Sequence, residues 1–171
     1  MLVLSTQDLR AVTAFAAGCA QAVLEIFEAD QPGDRRPRNA IDAAWEFARG
    51  GDRGKALRDT AWAALKAAGG ADGAAAGEAA RAAMAAAGAA YLHPLPQATQ
   101  VKHILGAGAH AARAVELAAG DNRTLGAEHV RQAARLAAPT VVDVLRRFPA
   151  APEGGGRIGE LIRLLDAALR R

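Results

Sequence analysis

One cysteine, one serine and one tyrosine are all that this 171-residue chain contains of three common reactive side chains. A single thiol excludes an intramolecular disulfide and suits a reducing compartment. The one serine, Ser5, stands at a helix start rather than beside a histidine, so a Ser/His or Cys/His nucleophile pair has almost no material. Aromatic residues amount to 4%, and few large side chains can therefore anchor a core. No run of about 20 uncharged apolar residues occurs, so no segment is expected to span a membrane. Only four residues precede the first polar cap, too few for a signal sequence. These absences lead to the expectation of a cytoplasmic protein. Neither G-x-x-x-x-G-K-[ST], H-E-x-x-H nor E-x-x-H is present, so the sequence offers no nucleotide loop and no helical metal motif.

What remains is alanine and leucine. Apolar types form 51% of the chain, most of them small, and at about 25 cal/mol per Å² each buries little. Stability must come from many close helix contacts. Alanine is the best helix former and β-branched residues are scarce, so the reading is all-α, a single domain over residues 1–171. Ser5 and Asp8 form a capping-box variant. The stripe that follows, Leu9, Val12, Ala16, Cys19, Val23 and Phe27, predicts one helix ending at the QPGD of 31–34, with Cys19 a small buried hydrophobe. Asp34 caps a second helix with Pro37 in its first turn and Ile41, Ala44, Trp45 and Ala48 inward. A third, capped by Asp52, turns Leu57, Ala61, Ala64, Leu65 and Ala68 inward. The low-complexity stretch 68–90 reads as a turn and a fourth helix, whose Gly77 and Gly88 are tolerable if another helix passes close. Prolines 94 and 96 break the chain. A fifth helix is expected from about Gln97 to Ala119. From Thr124 to Phe148 the apolar phase continues through Pro139, predicting a kink or two nearly collinear helices. After the loop 149–156, Ile158, Leu161, Ile162, Leu165 and Leu169 mark the last helix. Seven or eight antiparallel helices result, stacked as hairpins in an irregular bundle or a HEAT-like array.

Motifs with chemistry are few. GGGRIG at 154–159 matches G-x-G-x-x-G, but a proline loop precedes it and only twelve residues follow, so no dinucleotide fold can surround it. His103 and His110 lie seven apart on one helix face and would need further ligands from elsewhere to hold a metal. No catalytic residue, cofactor or metal is expected.

The cations are more informative. The net charge is +3, from 21 basic and 18 acidic residues, a mild excess for a nucleic-acid binder. Between 35 and 58 stand Arg35, Arg36, Arg38, Arg49, Arg53, Lys55 and Arg58, interleaved with Asp42, Glu46 and Asp52 and flanked by Asp34 and Asp59. Arg38–Asp42 and Glu46–Arg49 have the spacing to pair on the helix surface. Arginines at a helix N-terminus oppose its dipole, so three of them imply either a structural pair or a partner. In the structural case, Arg36 and Arg38 would staple the second helix to the third through Asp42 or Asp59.

The run Asp34-Arg35-Arg36-Pro37-Arg38-Asn39-Ala40-Ile41, with Trp45 after it, resembles the corresponding motif of an all-helical actinobacterial family of immunity proteins. Lys55-Ala56-Leu57-Arg58-Asp59, His103-Ile104-Leu105-Gly106-Ala107 and Leu145-Arg146-Arg147-Phe148-Pro149 continue the likeness over most of the chain. The resemblance implies a non-enzymatic protein of a polymorphic-toxin system that occludes a cognate toxin by protein–protein contact. Because this chain is not acidic, an acidic or apolar toxin surface is the expected complement. Arg36, Arg38, Trp45, Lys55, Arg58 and His103 are the candidate binding residues. The alternative is an anion- or nucleic-acid-binding helical module using the same arginines, which the small net charge disfavours. Close-packing alanine faces also permit a homodimer.

Overall fold

Ser5 opens the first helix as its sequence requires. In the computed structural model, which describes residues 1–171, the Asp8 N–H donates to Ser5 Oγ at 3.0 Å and the Ser5 N–H donates to Asp8 Oδ2 at 2.9 Å. This reciprocal cap starts α1 (Thr6–Gln21). The stripe from Leu9 to Phe27 is not one helix, however. The chain bends by 44° and continues as α2 (Leu24–Asp30). No proline or glycine marks the break. Val23, Leu24 and Phe27 are all buried, and the bend lays α2 along α5, so packing sets the direction here. The remaining helices are α3 (Arg36–Ala48), α4 (Lys55–Gly70), α5 (Ala74–Gly88), α6 (Val101–Ala118), α7 (Arg123–Ala134), α8 (Pro139–Arg146) and α9 (Gly156–Arg170), with short 3-10 turns before and at the start of α6. Nine helices replace the seven or eight expected, and the α1/α2 break accounts for the difference. At Pro139 a new helix begins, because Ala138 before it is extended, as proline imposes on its predecessor. No strand forms.

The low-complexity stretch becomes the centre of the molecule. Ala76, Gly77, Ala79, Ala80, Ala82, Ala83, Ala86 and Ala87 are buried, and α1, α2, α3, α4 and α6 all pack against α5. A helix with so many neighbours needs a wide apolar face, and alanine lets them come close. Past Ala75, only the stripe of Glu78, Arg81, Met84, Ala85 and Gly88 stays partly open. Because α1 also meets α3, α6 and α8, the architecture is an irregular bundle rather than a linear repeat array, whose units touch only their neighbours. The core forms one continuous cluster. Gly108 marks a tight crossing of α6 with α9 and α1: a Cβ there would lie 2.7 Å from Leu165 Cδ2 and 3.5 Å from Cys19 Sγ. Burial pushes the Cys19 thiol up to about 12, which suits a packing residue rather than a nucleophile.

Two ion pairs hold distant segments. Arg147 of α8 donates to Asp8 of α1 at 2.8 Å. Glu116 of α6 is 0% exposed, yet it is charged: Arg157 of α9 donates to both of its carboxylate oxygens, and Arg113 Nη1 donates to Oε1 at 2.9 Å. Burial alone would push its carboxyl up, but the hydrogen bonds from Arg157 and Arg113 outweigh that and leave it below the ordinary value. α7 approaches the carboxylate through Gly126, where any Cβ would collide with it. One buried charge thus fixes α6, α7 and α9 together. No single helix is long and apolar enough to cross a membrane.

Candidate functional site

The structure divides the cations of 35–58 into two groups. Arg36 and Arg38 serve the local fold. The Asp34 carboxylate accepts both the Arg36 backbone N–H at 3.1 Å and the Arg36 side chain, whose Nη2 lies 2.7 Å away. That is how α3 begins: the aspartate satisfies a free N–H and neutralises the arginine that opposes the dipole. The contact holds the Asp34 carboxyl below its ordinary value and the Arg36 guanidinium above its own. Arg38 grips Glu28 with two parallel bonds, Nε to Oε2 at 2.8 Å and Nη2 to Oε1 at 2.5 Å. The staple therefore runs back to α2 through Glu28, ten residues upstream, and not forward to α4 through Asp42 or Asp59. Both groups are about one-third exposed, so Arg38→Ala should lower stability by less than about 1 kcal/mol, visible in a urea titration as a small shift of midpoint.

Glu46 does not hold Arg49 either. The Arg49 guanidinium lies over the Trp45 ring at 5.0 Å, a cation–π contact. Trp45 Nε1 donates to Gln21 Oε1 at 3.2 Å. Trp45 is half-buried, and Phe47 takes the core position on α3.

The second group clusters on α4. Tyr91 donates its hydroxyl to the Gly54 carbonyl at 3.1 Å, and the Arg53 and Arg58 guanidinium groups each lie 5.7 Å from its ring. Arg53 is also anchored by donating to the Ala90 carbonyl at 3.1 Å. These contacts orient two arginines without neutralising them. Lys55 meets Asp59 at 3.5 Å in the open, which is worth little. Along the helix, Lys55, Arg58, Asp59, Trp62 and Lys66 are all exposed, and their spacing of three, four, seven and eleven places them on one stripe. At its middle Trp62 is 64% exposed.

Trp62 is the residue the sequence reading passed over, although its signal was present. The inward set Leu57, Ala64 and Ala68 leaves position 62 on the opposite side of a 3.6-residue period. An indole so exposed gains nothing for the fold, while tryptophan and arginine dominate the energetics of protein interfaces. The geometry is that of a contact surface: one large apolar anchor on a stripe that carries Lys55, Arg58, Asp59 and Lys66, with Arg58 oriented by Tyr91 and not neutralised.

His103 lies elsewhere. It shares a cleft between α5, α6 and α9 with His110 and Lys102, and its ring meets His93 edge-on at 6.3 Å between centroids. His110 Nδ1 is 2.6 Å from Glu78 Oε2. No three His, Cys, Asp or Glu side chains converge as metal ligands.

A family model described as "Imm-5 like putative immunity protein" matches residues 2–139. The chain belongs to that family. The match takes in α1 to α7, including the whole α4 stripe and Glu116, while α8 and α9 lie beyond it. Membership implies a partner protein, such as a toxin. No curated protein and no solved structure matches the chain significantly.

Proposed function

We propose that this protein neutralises a cognate toxin by seating the outer face of α4 on it, so that the toxin's working surface is covered. The exposure of Trp62 among Arg53, Lys55, Arg58 and Lys66 carries the reading. The complement would be an acidic patch with a recess for one indole. Of the six residues proposed from sequence, Lys55 and Arg58 belong to this face. Trp45 with Arg49 lies on α3, where Trp45 bonds Gln21 of α1, and Arg36 and Arg38 contribute by holding α3 in place. The rigid helical scaffold favours occlusion, since a preformed surface loses little entropy on binding.

The test is to mix the purified chain with the toxin encoded beside its gene, following complex mass and toxin activity together. A 1:1 complex with loss of toxin activity is expected. A chain that leaves the toxin active, or that instead binds nucleic acid with affinity falling steeply between 50 and 200 mM salt, would replace this reading with that of an anion-binding module.

A further inference from the structure

Gly88 has no packing reason to be glycine. Near the end of a helix glycine is less stable than alanine by about 1 kcal/mol, and its φ of −72° is one that any residue adopts. Close passage of a neighbour could account for it, as at Gly77, where a Cβ would meet the Ala68 carbonyl at 3.4 Å. At Gly88 a Cβ would meet nothing within 4 Å. The space it opens onto is the cleft of about 380 Å³ between α5, α6 and α9, a size within the ~300–1,000 Å³ of small-molecule sites.

The lining is divided. Met84, Ala85, Ile158 and Ile162 give apolar walls, while Lys102, His103 and His110 all project from α6. The carboxylate nearest these groups, Glu78, is already held by His110 at 2.6 Å and Arg81 at 3.2 Å. An uncommitted positive charge, that of Lys102, therefore borders an apolar chamber. Lys102, Ile158 and Ile162 also border a second hollow of about 190 Å³ that continues toward Thr99 and the Gly154–Gly155 loop. Its one carboxylate, Glu153, points to solvent beside Arg163. The two hollows share Lys102, Ile158 and Ile162 as a common wall.

We propose that this cleft binds a small amphipathic monocarboxylate, its apolar chain lying on Met84, Ile158 and Ile162 and its carboxylate meeting Lys102. An ammonium would face Lys102 unfavourably, and a wholly polar ligand would leave the walls dry and unused. Burial, then the charges of Lys102 and His93, hold the His103 pKa below its ordinary value, against the hydrogen bond that its ring makes to the Gly88 backbone, so His103 forms part of the wall and Lys102 alone supplies the charge.

Octanoate is the probe, with 1-octanol and octylammonium as controls, titrated below their micellar range into the full chain and followed by calorimetry and amide NMR shifts. Saturable octanoate binding is expected, with shifts centred on Gly88, His103, Gly106 and Ile158, and with both controls at least tenfold weaker. Gly88→Leu, which fills the cleft, should abolish binding while the melting temperature stays the same or rises. Lys102→Glu, on an exposed side chain, should weaken octanoate at least tenfold and leave octanol unchanged. Absence of saturable binding, octylammonium binding as tightly as octanoate, or octanoate affinity unaltered by Lys102→Glu would overturn the proposal. None of these readouts depends on the α4 face or on a toxin.

Discussion

Glu116→Ala should destabilise the fold by about 3 to 5 kcal/mol, the range for removing one partner of a buried ion pair. For a chain of this length that corresponds to a fall of roughly 10 °C in melting temperature. The loss comes from what is left behind. Arg157, whose guanidinium pKa is raised chiefly by its bonds to Glu116, would remain largely buried with one carboxylate, the half-exposed Glu160 at 2.9 Å, and the Arg123 carbonyl at 3.5 Å. Arg113 would keep only Asp121, also in the open. Gly126→Ala attacks the same site from the other side, because its Cβ would strike the Glu116 carboxylate. The two changes should not add. In the double variant the new methyl occupies space that the carboxylate vacated, so the combined loss should fall below the sum of the single losses. Denaturant titration of the three variants measures this directly.

The pH dependence has a fixed sign. A carboxyl whose pKa drops on folding contributes stability that is complete above its unfolded value, 4.5 for Glu116, and that disappears as pH falls through the folded value. The difference in stability between the wild type and Glu116→Gln should therefore be constant from neutral pH down to about 5 and narrow below about 4.5. A difference that widened in acid would mean that Glu116 is not ionised in the folded state.

Trp62→Ala should weaken the toxin complex by about 2 kcal/mol, near thirtyfold, which is the range of an interface anchor. The same change should alter stability by less than about 0.5 kcal/mol, since the side chain supports nothing in the fold. Arg58→Glu should act on a different quantity. A charge at the rim steers encounter, so its reversal should slow association on the order of tenfold and flatten the salt dependence, with less effect on dissociation. If both variants dissociated from the toxin at the wild-type rate, the α4 face would not be the contact surface. Wild-type affinity accompanied by a lower melting point would instead make Trp62 a structural residue.

What could be read in the sequence follows from the range of each interaction. Ser5 and Asp8 are three residues apart, and their reciprocal cap was legible. So were the helical nature of 74–88 and the chain break at Pro139, because alanine and proline act through their own backbone. The bend between α1 and α2 was not legible, since it is set by packing of α2 on α5 and by no residue at the break. The Arg38 staple was misdirected for a related reason. Spacing favours Asp42 one turn ahead, but the chain reversal at 31–34 brings Glu28 alongside, where the guanidinium fork can be matched by both oxygens. Nothing local joins Glu116 to Arg157, 41 residues later. Gly88 was expected to admit a neighbouring helix and instead borders an open cleft. Trp62 is legible from helical phase alone, since position 62 falls opposite the buried Leu57, Ala64 and Ala68.

Hydrogen exchange on the toxin complex tests the central claim most directly. Amides along Lys55–Gly70 should gain protection on complex formation, with the largest change about Trp62. Protection that falls on other helices and leaves this segment as in the free protein would contradict it.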